Sequence, residues 1–315
     1  EDLINLLEKN KSNFFTGVPD SVLYGFSSHL QSESKKNHII ATSEGAAVSI
    51  GIGYYLSTKK IPTIYMQNSG LSNALNPLIS IAHEKVYSIP LILVIGWRGS
   101  PGVRDEPQHN VKGQITQEML ELLNIKYVIL RTHSDLQKFD KIIKLAKKNK
   151  SIVACLIEQG TLKTKKIIKE KSIYNLSKEV FLINLLKNIE KNSKIIVSTG
   201  YNSRELIYLR DEHKLNNGND FYLVGGMGHT SSVALGYSLF SKNETICIDG
   251  DGSLLMHLGS IKTAGTFANN NLKYILINNN SHDSVGGQNT FANDVDFEKL
   301  SKSLGFRNFF SIKNK

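Results

Sequence analysis

One stretch constrains the fold more than any other. The apolar run Thr245–Ile248 leads into Asp249-Gly250-Asp251-Gly252-Ser253, and a second apolar run, Leu272–Ile277, ends in Asn278-Asn279-Asn280. Apolar runs this short read as strands buried on both faces. Between them Leu254, Leu255, Leu258, Ile261 and Ala264 recur at helical spacing. Strand, helix and strand in that order predict two adjacent parallel strands. Their carboxyl ends would bring a carboxylate and side-chain amides to one edge, where open α/β sheets bind ligands. Carboxylate, amide and carbonyl oxygens are hard donors, suited to an octahedral Mg²⁺ that also holds phosphate oxygens. Gly250 and Gly252 let the backbone come close to a diphosphate. Gly-Asp-Gly alone is also ordinary turn chemistry; the spacing to the asparagines favours the metal–diphosphate reading.

The rest of the chain repeats this architecture without repeating its sequence. In the first half, strands are expected at Asn13–Thr16, His38–Ala41, Thr63–Met66, Leu91–Ile95, Tyr127–Leu130 and Ile152–Ile157. Helices are expected at Ser21–Gln31, Gly45–Tyr55, Leu75–Lys85, Thr116–Leu123 and Leu136–Lys148. The second half restarts with helix Ser177–Glu190, strand Lys194–Ser198, helix Ser203–Arg210, strand Phe221–Val224 and helix Ser231–Phe240. Such alternation predicts an α/β protein of two doubly wound parallel-sheet domains, 1–160 and 177–315, joined by a charged linker at 161–176. After Phe297–Leu304 the pattern stops, so the second domain is expected to lack its final elements. The first residue is Glu, not Met, which is read as an N-terminus from which something has been removed.

Composition excludes several classes. Lys and Arg total 38 against 28 Asp and Glu, a formal charge of +10, but the excess is Lys scattered through stretches such as 141–150 and 163–171. That pattern reads as a solvated surface, with no aromatic interleaving and no nucleic-acid motif. A positive field would still draw in a small polyanionic substrate. No apolar stretch reaches membrane-spanning length, and no signal-peptide pattern opens the chain. Cys155 and Cys247 lie in separate strand-like runs, which suggests core packing in a reducing cytoplasm.

Other motifs fall after predicted strands. Ser43-Glu44-Gly45 opens a helix, with Ser43 a natural N-cap and Glu44 an acid in the first turn. Gly225-Gly226-Met227-Gly228-His229 reads as a flexible turn with Met227 as filler. Thr16-Gly17-Val18-Pro19-Asp20-Ser21, Gln67-Asn68-Ser69-Gly70 and Arg104-Asp105-Glu106-Pro107-Gln108-His109 are turn and cap chemistry when taken singly. His229 and His282 read as loop histidines.

Taken together, Asp251 and the asparagine run resemble the thiamine diphosphate (ThDP) signature of the decarboxylase and ketolase superfamily. That resemblance implies metal ligands at Asp251, Asn279 and the Ser281 carbonyl, with Asn278 as the alternative because the family usually shows Asn-Asn-Gly. It implies cofactor contacts from Gly250, Gly252 and Ser253. Glu44 would hydrogen-bond N1′ of the aminopyrimidine, favouring the tautomer that deprotonates the thiazolium. Met227 would bend the cofactor, and the Gly225 carbonyl would accept from its 4′-amino group. The loops at 16–21, 67–73 and 104–109, with Thr199-Gly200 through Leu206, resemble the phosphonopyruvate decarboxylases, whose close relatives are the sulfopyruvate decarboxylases.

The implied reaction is ThDP- and Mg²⁺-dependent decarboxylation of a small anionic 2-oxo acid. Asp20 and His109 are candidates for proton transfer and substrate ordering. Asn68, Ser69, Arg98, Arg104 and Lys112 are candidates for substrate binding, the last three read as cations of one loop. The family places its cofactor between the pyrimidine domain of one chain and the diphosphate domain of another, so at least a dimer is expected. Two other readings stay open: a different 2-oxo acid decarboxylase, and a non-catalytic partner subunit. A Rossmann nucleotide protein would want Gly-x-Gly-x-x-Gly after the first strand, and Gly17-Val18-Pro19 does not supply it.

Overall fold

A computed structural model of the chain describes residues 2–33, 37–162, 176–215 and 220–312. The chain divides into two compact units, Glu1–Ile167 and Ile168–Lys315. Most of the expected linker, 163–175, lies outside the described residues.

The first unit holds β1 (Phe15–Gly17), β2 (His38–Ile40), β3 (Thr63–Gln67), β4 (Leu91–Trp97), β5 (Lys126–Leu130) and β6 (Ile152–Glu158). They form one six-stranded sheet in the order β2-β1-β3-β4-β6-β5, and every pairing is parallel. Strand alternation explains why β4 is apolar throughout. Leu91, Leu93, Ile95 and Trp97 point into one core, while Ile92 and Val94 point into the other. Both faces are covered by helices, so neither can be polar.

The second unit holds β7 (Lys194–Val197), β8 (Phe221–Tyr222), β9 (Thr245–Gly250) and β10 (Leu272–Ile277), in the order β10-β9-β7-β8 and all parallel. Ile246 and Ile248 face one core and Cys247 the other. Cys155 and Cys247 are both buried free thiols. Burial pushes each thiol's pKa up, as a core cysteine should show. The expected α/β class with two parallel sheets is therefore the observed one.

Four helical segments depart from the sequence expectation. A helix at Asp2–Lys9, unanticipated, buries Leu3, Ile4 and Leu7. The helix expected at Leu75–Lys85 starts at Leu71 and runs through Pro77 into a π-helical segment, Leu78–Ala82. The helix expected from Thr116 begins at Pro107, where proline's fixed φ suits a first helical residue. His109 and Lys112 are thus helical residues, not loop residues. The single helix after Asp251 is two, Asp251–Met256 and Leu258–Phe267, broken at His257. The His257 ring stacks on His229 with centroids 4.7 Å apart. Among the described residues no helix is long and apolar enough to cross a membrane.

Candidate active site

Each unit gathers its polar residues at the carboxyl edge of its sheet. In the first unit the ends of β2, β1, β3 and β4 lie side by side. Glu44 opens the helix Glu44–Thr58, whose N-cap Ser43 accepts from the Ala46 N–H at 3.3 Å. Its carboxylate is only 6% exposed. Oε2 accepts from Asn73 Nδ2 at 3.0 Å. Oε1 lies against Gly70, where a Cβ would come within 2.3 Å of it. Glycine at position 70 is what leaves room for this carboxylate.

Asp20 is completely buried. Its Oδ1 accepts from Gln67 Nε2 at 2.7 Å, and its Oδ2 accepts from the N–H groups of Val22 and Leu23 at 3.1 and 3.2 Å. Burial raises its pKa, and these hydrogen bonds with the nearby Arg98 charge offset part of that rise. A Cβ on Gly96 would fall 2.0 Å from Oδ2, so β4 presses directly on the carboxylate. Every oxygen of Asp20 is turned inward. It fixes Gln67, whose Oε1 in turn accepts from Ser69 Oγ at 2.7 Å.

Asn68 is equally committed. Its amide donates to the Arg98 carbonyl at 2.9 Å and to Thr116 Oγ1 at 3.0 Å, and its oxygen accepts from the Arg98 N–H at 3.1 Å. It clamps the end of β3 to the end of β4 and to the helix Pro107–Leu122. Arg98 is spent too. Its Nε donates to Asp105 at 2.7 Å, a second nitrogen completes the bidentate pair, and the third donates to Ser21 Oγ at 3.1 Å. Asp105 also accepts from the N–H groups of Gly99 and Glu106 at 3.0 and 2.8 Å. The guanidinium holds this carboxyl well below its ordinary pKa range.

His109 sits one turn into the Pro107 helix, where its carbonyl is packed on Gly99; a Cβ there would fall 1.9 Å from the His109 oxygen. Lys112 lies on the same helix and donates to Ser72 Oγ at 3.0 Å. Arg104 is exposed on the preceding loop.

In the second unit the register pairs Ile277 with Gly250, so Asp251 and Asn278 leave neighbouring strands at the same edge. Asp251 is 3% exposed. Burial raises its pKa, and hydrogen bonds from Thr290 Oγ1 and the Gly252 N–H pull it back. Thr290 arrives by a hairpin, Ser281–His282 against Gln288–Asn289, that the sequence reading left as loop. The asparagines divide their work. Asn278 Oδ1 accepts from the Asn280 N–H at 3.0 Å. Asn279 Oδ1 accepts from the Ser281 N–H at 3.1 Å, and its amide donates to Asp283 at 2.8 Å. Asn280 takes a left-handed φ of 54° and places its Oδ1 3.5 Å from Thr290 Oγ1. Asn280 is therefore the asparagine that shares a partner with Asp251.

Around this clamp the backbone is close-packed. A Cβ on Gly252 would meet the His282 ring at 2.9 Å and Met227 Cε at 3.3 Å, so Met227 and His282 both border Gly252. Gly250 faces Asn202, with 3.4 Å from its notional Cβ to Nδ2. The Gly225 loop is tied down where the Gly228 N–H donates to Ser253 Oγ at 2.9 Å. Beneath it lies Asp249, 1% exposed. It accepts from Thr230 at 3.3 Å, the Gly250 N–H at 3.0 Å and Tyr274 at 2.9 Å, and also from Ser253.

These groups fit the chemistry the motifs implied. Among the described residues no three His, Cys, Asp or Glu side chains gather as a self-sufficient metal site. A cation here would draw on Asp251, amide and carbonyl oxygens and the ligand's own phosphates, the donor set that suits Mg²⁺. Glu44, with one oxygen held by Asn73, fits a carboxylate kept ready for a ring nitrogen.

Sequence reasoning gave no individual site role to Gln67, Asn73, Asp105, Thr116, Asp249 or Thr290, though several lie in the quoted motifs. Position gave some signal: Gln67 and Asp249 each lie at a strand end. Asn73, Thr116 and Thr290 reach the edges from helices and a hairpin whose placement no local pattern fixes.

The comparisons with known proteins bear on the family. Residues 1–124 match the family described as thiamine pyrophosphate enzyme, N-terminal TPP binding domain, and residues 199–315 match its C-terminal TPP binding domain. A phosphonopyruvate decarboxylase of Streptomyces viridochromogenes is 31% identical over 92% of this chain and 76% of its own length. A sulfopyruvate decarboxylase of Methanosarcina acetivorans is 29% identical over 87% of this chain and 74% of its own. The β subunit of sulfopyruvate decarboxylase from Methanocaldococcus jannaschii is 38% identical over 39% of this chain and 65% of its own. With both cofactor-binding domains and a relative of this identity along nearly its whole length, the chain belongs to the thiamine diphosphate-dependent decarboxylases, a family of carboxy-lyases.

Proposed function

We propose that the protein decarboxylates 3-phosphonopyruvate to phosphonoacetaldehyde and CO₂, using ThDP and Mg²⁺, as a step in phosphonate biosynthesis. The observation that carries this reading is the presence, on one chain, of two complementary carboxyl edges. One holds the buried carboxylate Glu44, and the other holds the Asp251 clamp. A non-catalytic partner subunit would need neither. The bound cofactor would supply the electron sink for the pair released with CO₂.

The chain's own residues do the rest. Asp251, Asn279 and the Ser281 carbonyl hold the metal. The left-handed Asn280 fits the glycine of the family's Asn-Asn-Gly, which supports Asn279 over Asn278 as ligand. Gly250, Gly252 and Ser253 would line the diphosphate, while Met227 would pack under the thiazolium and the Gly225 carbonyl would accept from the cofactor's amino group. Glu44 holds a proton between its carboxylate and the pyrimidine ring. Asp20, with no exposed oxygen, acts by fixing Gln67 and through it Ser69. His109, at the start of its helix, orders the substrate. Because a cofactor shared between pyrimidine and diphosphate domains of different chains needs both, the active form is at least a dimer.

Sulfopyruvate is the second reading. A sulfopyruvate decarboxylase matches across both halves of this chain, so having both halves on one chain does not separate the two substrates. Identity over the greater length favours phosphonopyruvate. The test supplies ThDP, Mg²⁺ and each acid in turn and follows CO₂ release. Turnover of phosphonopyruvate in preference to sulfopyruvate is expected. Glu44→Gln should lower kcat by about 10³-fold while calorimetry still registers ThDP binding. If purified protein binds ThDP and releases CO₂ from neither acid, the reading is wrong.

A further inference from the structure

Resting on that reading, the geometry points to Lys112 as the cation that receives the distal oxyanion of the substrate, with Arg98 a brace and not a ligand. Three cations at this edge could have met a tetrahedral anion on carbon 3 of a 2-oxo acid. Arg98 is excluded by its own contacts. All three guanidinium nitrogens donate to Asp105 or Ser21, and the paired carboxylate side chain is only 3% exposed. Its charge is already compensated, and freeing it would strand Asp105 in the interior. Arg104 sits on an exposed loop, and among the described residues no contact aims it at the edge.

Lys112 differs because its helix is locked. Gly113 packs so closely on Gly99 that a Cβ would fall 1.7 Å from the Gly99 carbonyl. The Gly113 carbonyl accepts from Trp97 Nε1 at 2.9 Å. One turn beyond Lys112, Thr116 is held by Asn68 at 3.0 Å. Residues four apart share a helix face, so Lys112 is turned toward the same strand ends as Thr116. Its ammonium reaches Ser72 Oγ at 3.0 Å, and the next residue, Asn73, is the one whose amide holds Glu44. Lys112 thus anchors on an exposed hydroxyl in the same helix, Leu71–Pro77, that carries the asparagine holding Glu44. Among the described residues it makes no ion pair. A compact ammonium on a long stem suits a phosphonate or a sulfonate alike.

Lys112 is half-buried with a hydroxyl as its partner, so Lys112→Met retains the stem and should not disturb folding. Steady-state kinetics with phosphonopyruvate and sulfopyruvate test the assignment. For the acid the wild type prefers, K112M should raise KM by about 10- to 100-fold with kcat changed by less than about threefold. K112R should recover part of the loss. The preferred acid identifies which oxyanion the lysine receives. An unmoved KM in K112M, or a loss that appears in R104M instead, overturns the assignment while the functional reading stands. An inactive wild type on both acids overturns the functional reading and the assignment together.

Discussion

The carboxyl edges of the two sheets solve the same problem in opposite ways. In the first unit nearly every polar side chain is consumed internally: Asp20 by Gln67 and two backbone N–H groups, Asn68 by Arg98 and Thr116, Arg98 by Asp105 and Ser21. The groups proposed to act on ligands at this edge are one oxygen of Glu44, His109 and the Lys112 ammonium. In the second unit the asparagine run bonds mostly within its own turn, and Asp251 is held by a hydroxyl and backbone N–H groups. An edge that must place a single carboxylate against a ring is built rigidly. The edge proposed to surround a cation and a diphosphate keeps its amide oxygens turned toward its own loop. The contrast assigns precision to the first edge and donor capacity to the second.

That comparison can be broken first at the buried Arg–Asp pairs, where the largest stability changes are expected. Each unit has one. Arg98–Asp105 lies at the carboxyl edge. Arg210–Asp220, with side chains 5% and 0% exposed, lies at the start of β8, the amino edge. Removing either carboxylate leaves a buried guanidinium and should cost about 3 kcal/mol, read from denaturant unfolding. Only Asp105→Asn should also impair catalysis, because only that pair braces the loop after β4 and the Ser21 turn at the carboxyl edge; ThDP affinity in D220N should match wild type. Asp105 adds a pH dependence. Its folded pKa lies below its unfolded value, so its stabilisation is fully present above the ordinary carboxyl pKa of 3.8 and is lost as pH falls from there through the lower folded pKa. The acid-side fall in Tm should be shallower in D105N. If the two fall with the same slope, Asp105 is not the charged partner described.

A smaller effect is expected beneath the second edge. Asp249 gathers Thr230, Gly250, Ser253 and Tyr274, and Ser253 passes the constraint on to Gly228. It touches no proposed cofactor atom, so it positions the clamp and does not form it. Asp249→Asn should weaken Mg²⁺ and ThDP binding by about 10-fold in calorimetry, with the near-UV circular dichroism of the apoprotein retained. Unchanged affinity would make Asp249 a core residue only.

Much of this was legible in the residues. The runs 245–248 and 272–277 could only be buried neighbours, and their shared edge followed from parallel order; β10 spans Leu272–Ile277 as expected. Glu44 was legible as the acid of a helix start after a strand, and only the family resemblance gave it a cofactor role. What stayed hidden depends on contacts distant in sequence. Asp20 reads as a turn residue and reveals its burial only when β4 brings Gly96 against it. Arg98, Arg104 and Lys112 look equivalent along the chain. They separate only when Pro107 starts a helix that carries Lys112 away from the loop and Asp105 folds back on Arg98. The Thr290 contact to Asp251 spans 39 residues and needs a hairpin that no alternation pattern announces.

On the proposed function the two edges act as halves of one site supplied by different chains. Mixing Glu44→Gln with Asp251→Asn protein after subunit exchange tests it most directly. Each variant alone should be inactive. A site shared between subunits leaves one intact Glu44–Asp251 pair in every mixed dimer, so the mixture should recover about one quarter of the wild-type rate. If each site is built within a single chain, every site carries one defect, and a mixture as inactive as its components would contradict the account.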